Sequence, residues 1–286
     1  MIDRRSVLAG IGGIVGATIA APVLARPLDK IRESGLLKIA VYKDFEPWSW
    51  RDQAGHVVGI DVELGKLLAE QIGVRAEVTE FLAGDDLGDD LRNMVWRGTL
   101  IGQAPCDVMM HVPVDRKLAI DNDRVVILGA YYREGFGMVC NRDTTDCEVP
   151  PPQLKGKRLI AEVASIPDLY LSGSFGGVLR GDVRHVATGA EAVAAVARGD
   201  ADAAVATRAQ IEHGISIDTG DKRALARKGS VPAIANPGWN VGLAVKDDSR
   251  DLGDKLEEVM ADMIAKGRVA EVCARFGVRH RDPVIV

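Results

Sequence analysis

The sequence lacks a basic surplus. Its formal net charge is −5, with acids and bases interspersed, so there is no dense basic surface for phosphates. Nucleic acid and anionic membrane are excluded as partners on that ground. Metal-ligand spacing is also missing: neither Cys-x-x-Cys nor His-x-x-x-His occurs. No paired nucleophile and base, phosphate-binding loop or dinucleotide fingerprint stands in the body of the chain, and Gly10-Ile11-Gly12-Gly13 lies in an N-terminal segment of another kind. No catalytic residue, cofactor or metal is therefore expected. Aromatics are few, 5% against 47% hydrophobic residues, an ordinary soluble composition. Beyond residue 25 no run is long and apolar enough to cross a membrane, so the body of the chain is expected to stay out of the bilayer.

What is present begins with residues 1–25. Asp3-Arg4-Arg5-Ser6-Val7-Leu8 places two arginines before an apolar Gly/Ala-rich run, and Ala21-Pro22-Val23-Leu24-Ala25 supplies small residues for cleavage before Arg26. This pattern predicts a twin-arginine-type export signal and a periplasmic protein, the alternative being an uncleaved anchor. Losing Asp3, Arg4 and Arg5 would take the net charge from −5 to −6. Four cysteines in an exported chain suggest disulfides. Cys140 and Cys147 flank a short polar loop and form the expected pair; Cys106 with Cys273 is the remaining pairing.

From Leu37 the pattern reads strand, loop, helix, strand, helix, strand. Strands are expected at Leu37–Tyr42, Arg75–Phe81 and Asp107–Val112, with helices at Val62–Gly73 and Asp89–Arg97. Val125–Tyr132 and Phe136–Cys140 follow as extended segments, and Pro-rich Val149-Pro150-Pro151-Pro152 marks a boundary in the path. A second cycle is expected to carry strands at Leu154–Ala161, Val183–Val186 and Ala201–Ala206, and helices around Asp168 and over Gly189–Arg198. Ala233–Pro237 reads as extended and Asn240–Val245 as a strand. Two closing helices, Asp251–Ala265 and Val269–Phe276, are each stopped by glycine. Alternating strands and helices in two halves predict two α/β lobes with a ligand cleft between them.

Phe45-Glu46-Pro47-Trp48, followed by Gly59-Ile60-Asp61-Val62-Glu63-Leu64, resembles the start of family 3 periplasmic solute-binding proteins. In that family a Gly-Phe/Tyr-Asp-x-Asp-Leu segment follows an aromatic-Pro-aromatic loop; here Ile60 and Glu63 depart from the pattern. Leu154-Lys155-Gly156-Lys157-Arg158 and Gly199-Asp200-Ala201-Asp202-Ala203 resemble the family's second-lobe signatures. The resemblance implies a bilobal type II periplasmic binding fold with a two-strand hinge, crossed near Tyr132–Gly137 and Asn236–Asn240. On it, residues 1–25 are signal, 26–132 and 238–286 the first lobe, and 133–237 the second.

The same resemblance marks Phe45 as the ligand-stacking aromatic and Arg116 as a clamp for a carboxylate, the alternative being a surface arginine paired to Asp115 or Asp121; Trp48 and Trp50 read either as ligand-stacking rings or as a cover for the strand edge. His111 is the distinctive polar residue at the first lobe's strand edge, for structure or for ligand. In the second lobe the family's Gly-Thr-Thr loop is replaced by Glu162-Val163-Ala164-Ser165, where Ser165 reads as a helix cap beside which an anion could sit. Thr207 stands where the acid for a ligand ammonium is expected, which disfavours an ordinary α-amino acid. The acidic run Asp85–Asp90 reads as a helix-start complement rather than a cation loop.

The leading expectation is a non-enzymatic periplasmic protein that captures a small polar solute and presents its closed form to an ABC permease. An alternative is an accessory of a PQQ-dependent quinoprotein alcohol or methanol dehydrogenase, binding that enzyme or its cytochrome. It rests on a resemblance carried by Tyr131-Tyr132-Arg133 and Cys106-Asp107-Val108. A cyclohexadienyl-dehydratase-like enzyme on the same fold is the third.

Overall fold

The structure, a computed structural model, describes residues 26–234 and 238–284. The export-signal reading of residues 1–25 and part of the expected second crossing, Asn236 and Pro237, lie outside the described residues.

After α1 (Leu28–Ser34) comes β1 (Leu36–Tyr42), then a small hairpin of β2 (Trp50–Arg51) and β3 (Val57–Val58). Helix α2 (Ile60–Gln71) starts under tight constraint. Gly59 has φ 136°, and a Cβ there would lie 2.2 Å from the Trp48 carbonyl oxygen, so only glycine fits. Strand β4 (Arg75–Phe81) follows, then α3 (Leu87–Leu91), which relaxes into a π-helical turn at Arg92–Trp96 where one straight helix was expected. Leu91, Met94 and Val95 are buried along it all the same. Next come β5 (Val108–Pro113), α4 (Arg116–Asp121) and β6 (Val125–Glu134).

The chain then enters a second sheet through β7 (Phe136–Asn141), β8 (Leu159–Glu162), α5 (Ile166–Gly173), β9 (Val183–Val186) and α6 (Gly189–Arg198). Strand β10 (Ala203–Thr207), α7 (Arg208–Ile217) and β11 (Ala224–Ala226) complete it. Strand β12 (Trp239–Lys246) returns to the first sheet, and α8 (Arg250–Ala265) and α9 (Arg268–Arg275) pack there.

The sheet orders are β4-β1-β5-β12-β6 and β11-β7-β10-β8-β9. In the first, β1 is parallel to β4 and β5, while β12 runs antiparallel to both β5 and β6. Strand β5 is buried along its length because helices cover both faces, which is why it reads as a continuous apolar run. One face packs on α2, α8 and α9; the other packs on the segment holding Leu91, Met94 and Cys106. In the second sheet one face meets Tyr170 and Leu171 of α5, and the other meets α6 and α7. This is the type II periplasmic binding architecture: two α/β lobes, the chain passing from the first sheet to the second between β6 and β7 and back again at β12.

Cys140 and Cys147 are disulfide-bonded, with 5.5 Å between their Cα atoms. The remaining pairing does not form. Cys106 and Cys273 are free and buried in clusters on opposite faces of the first sheet, which places the sheet itself between them.

A candidate ligand site between the lobes

Strand β1 delivers the loop 43–49, which folds back on itself. The Phe45 amide donates to the Ser49 carbonyl at 2.8 Å, and the Trp48 amide donates to the Phe45 carbonyl at 2.8 Å. The Glu46–Pro47 peptide is cis. Trp48 is fully buried, its ring 4.5 Å from that of His111 and 4.9 Å from that of Tyr132. Phe45 meets His111 edge-on at 4.8 Å. The parallel pairing of β1 with β5 brings this loop beside His111 near the C-terminal end of β5.

His111 has φ +62° inside a strand, a conformation that costs a non-glycine residue free energy and gathers at functional positions. Three hydrogen bonds hold the arrangement. His111 Nδ1 lies 3.0 Å from Asp61 Oδ2, the His111 amide donates to Tyr131 Oη at 3.1 Å, and Tyr131 Oη donates to Asp61 Oδ1 at 2.5 Å. Asp61 is fully buried with both oxygens engaged. Burial, with Asp61 next to it, raises the Tyr131 hydroxyl well above its ordinary pKa, so it stays a donor. The contact with Asp61 orients the imidazole ring and leaves Nε2 outside it. Asp61, which the sequence marks only as a motif residue, is thus the organising group of the first lobe's edge.

The hinge adds two groups that sequence reasoning missed. Glu134 is fully buried; one oxygen accepts from the Gly135 amide at 2.8 Å, and Oε2 has no partner among the described residues. Burial pushes its carboxyl up to about 7, against the opposing pull of the Gly135 amide and of His111, Arg208 and Arg281. Arg208 opens α7 and donates its amide to the Gly135 carbonyl at 2.8 Å. Its guanidinium lies across both hinge crossings. A Cβ at Gly135 would come within 2.6 Å of Nη2, and one at Gly238 within 3.5 Å. Arg208 Nε is buried without a partner among the described residues. The rings of Phe136 and Trp239, beside the hinge, lie 5.0 Å apart and tilted by 48°. The available signal was an acid followed by glycine at the crossing, Glu134-Gly135.

Polar residues at the second lobe's edge are occupied locally. Glu162 Oε2 accepts from the Gly189 amide at 2.9 Å, at the start of α6, and burial raises its carboxyl. Ser165 Oγ donates to the Glu162 carbonyl at 2.6 Å and accepts from the Asp168 amide at 3.2 Å, capping α5. Thr207 and Gln210 form a capping box on α7. Arg116 is exposed on the first turn of α4, behind the N-cap Asp115. The structure therefore gathers Phe45, Trp48 and His111 into one cluster. It sets Glu162, Ser165 and Thr207 at helix starts of the other lobe and leaves Arg116 outside the cluster. In the acidic run, Asp86 caps α3 and Asp90 accepts from the Gly84 amide and the Tyr42 hydroxyl. Among the described residues no group of three or more His, Cys, Asp or Glu side chains is set to hold a metal.

Residues 37–94 match the model of the bacterial extracellular solute-binding proteins, family 3. A stretch of 51 residues is 41% identical to a cyclohexadienyl dehydratase of Pseudomonas aeruginosa, covering 18% of this chain and 19% of that protein. Among solved structures, an ancestral cationic amino acid solute-binding protein superposes with a TM-score of 0.67 at 18% identity, over 87% of this chain and 98% of that one. An amino acid ABC transporter substrate-binding protein from Streptococcus pneumoniae, bound to L-arginine, gives 0.63 at 15% identity, over 87% and 97%. An ancestral arginine-binding protein bound to arginine gives 0.58 at 20% identity, over 85% and 98%. At such identities these likenesses establish the fold, not the ligand. The family model thus matches the opening of the first lobe, residues 37–94, while the fold shared with solute-binding proteins covers both lobes.

Proposed function

We propose that this protein is exported to the periplasm by its twin-arginine segment, captures a small polar solute other than an ordinary α-amino acid, and offers its closed form to a membrane ABC permease. The observation that carries this reading is the strained His111, held by Asp61 and Tyr131 against Phe45 and Trp48 at the cleft edge. An aromatic wall with one oriented polar atom is how small-molecule sites combine affinity with selectivity. Glu134 and Arg208 bring a carboxyl and a guanidinium to the hinge at Gly135. Thr207, closed in its capping box with Gln210, is no carboxylate for an α-ammonium. Glu162 and Ser165 would meet the solute only by exchanging their helix-start bonds for it. Arg116 would have to swing in from solvent to clamp a carboxylate.

Calorimetric titration with a panel of amino acids, polyols, sugars and small carboxylates tests the reading. A polar, non-amino-acid solute should bind, and His111→Ala should weaken it at least tenfold. Arginine or another ordinary amino acid binding more tightly than every other solute would overturn it.

A second reading, an enzyme on the same fold, draws on the stretch shared with the cyclohexadienyl dehydratase and on the Asp61–His111 pair. A carboxylate-oriented imidazole is a common general base. Turnover of cyclohexadienyl acids would favour it. The residues that suggested a quinoprotein dehydrogenase partner have internal duties: Tyr131 and Tyr132 are fully buried, and Asp107 binds Arg26 and the Lys38 amide.

A further inference from the structure

His213 lies on α7 of the second lobe and reaches into the first. Its Nε2 is 2.9 Å from Glu46 Oε1, in the aromatic loop between Phe45 and Trp48, and its Nδ1 is 2.7 Å from the Phe276 carbonyl just after α9. The residue is buried, and its ring lies 5.6 Å from that of Trp50. Both partners are acceptors. A neutral imidazole has a single N–H and can satisfy only one of them; the imidazolium satisfies both.

We propose that His213 is a proton-operated clasp between the lobes: charged, it ties α7 to the ligand loop and to the end of α9, and neutral, it lets one of the two contacts go. The proposal rests on the reading above, in which the lobes close on a solute, and it adds a control on that closure.

Most of the other charged groups around His213 have partners of their own. On α7 itself, Glu212 pairs with Arg281 and accepts from the Arg279 amide; Asp218 Oδ1 accepts from the Gly220 amide while its Oδ2 is buried without a hydrogen-bond partner among the described residues, and Arg208 points to the hinge at Gly135. From α6 and the β11 approach, Arg198 pairs with Asp200, and Arg223 with Asp143 and Asp221. On the first lobe, Arg275 pairs with Glu63. Glu46 is the carboxylate in direct hydrogen-bond contact with the ring. A cavity of about 390 Å³, lined in part by Glu46, Gln210, His213 and Asp218, opens beside the ring and gives protons a route from solvent.

Burial alone would lower the His213 pKa, but the bonds to Glu46 and to the Phe276 carbonyl outweigh it and hold the ring above its ordinary value. The sign follows directly. With the folded value raised, the clasp is at full strength below the ordinary histidine value of about 6.5, and is lost as pH rises through the raised value.

The test uses the full exported chain without solute. Small-angle scattering from pH 5.5 to 9 should show the radius of gyration increasing in one step, at the midpoint that NMR reports for the His213 ring. His213→Phe should abolish the step. Glu46→Gln, whose amide can donate to a neutral ring, should lower the ring's midpoint by on the order of one pH unit and remove the step. A flat radius while His213 titrates would overturn the clasp. A step that survives His213→Phe would also do so, assigning it to another group such as Glu134. Should His213→Phe misfold by circular dichroism, the surface substitution at Glu46 carries the test alone. Solute binding is measured separately at fixed pH: binding without a step removes only the clasp, and a step without any bound solute removes only the capture reading.

Discussion

The two lobes share a layered α/β plan, yet they furnish the cleft in different ways. At the first lobe's edge the polar groups are held by partners far away in sequence: His111 by Asp61 and Tyr131, with Trp48 and Phe45 packed on the ring. At the second lobe's edge the polar groups serve their own helix starts, Ser165 on α5, Thr207 on α7 and Glu162 on the first amide of α6. Long-range bonding fixes side chains to the precision that recognition needs, whereas local caps stabilise the element that bears them. The comparison sets the long-range polar contacts at the first lobe's edge and the local caps at the second lobe's edge.

Substitutions that act on one side only can break that division. Trp48→Ala removes a fully buried side chain from between His111 and Tyr132 and should lower stability by about 3–5 kcal/mol in guanidinium unfolding, along with solute binding. A loss under about 1 kcal/mol with binding intact would mean that the first lobe's edge is not the built surface. Glu134→Gln probes the hinge. Its carboxyl is raised to about 7 against an ordinary value of 4.5, so the folded state holds the proton more tightly than the unfolded one. The cost is absent below the ordinary value, grows as pH rises toward 7, and is full above it. The amide variant should therefore match the parent at pH 4 and exceed it by about 3 kcal/mol at pH 8, read from unfolding midpoints at the two pH values. A difference that does not change with pH would show that Glu134 keeps an ionised partner. The smallest effect belongs to the second lobe. Thr207→Val removes the side-chain half of a capping box and should cost about 1 kcal/mol by thermal unfolding, with solute affinity unchanged. A large loss of affinity would bring Thr207 back as a solute contact.

Legibility in the sequence followed the range of the forces. Strand β4 has the expected limits Arg75–Phe81, β9 has Val183–Val186, and α6 has Gly189–Arg198, because alternation and end signals within the segment define them. Thr188 caps α6, and Gly199 closes it in the left-handed conformation. Helix α7 has a start signal in Thr207-x-x-Gln210 but no clear apolar stripe or glycine stop. It holds Gly214 and few apolar residues, and it forms on the Thr207–Gln210 box and on packing against β7 and β10. The break of the third helix at Arg92–Trp96 was likewise invisible, since apolar spacing alone does not separate α from π turns. Candidate residues divided the same way. Phe45, Trp48 and His111 stood next to readable motifs, while Glu134 and Arg208 became interesting only once two chain crossings met around them.

The sequence alone determined the two α/β cycles, the Cys140–Cys147 pair and the aromatic loop ahead of Gly59-Ile60-Asp61, because each is written in neighbours a few positions apart. The tertiary structure decided that Cys106 and Cys273 stay apart, that Asp61 orients His111, and that His213 meets Glu46 across 167 positions of chain. Those outcomes depend on which faces of the sheets and helices come together, and burial and hydrogen-bond matching settle that only when the whole chain is folded.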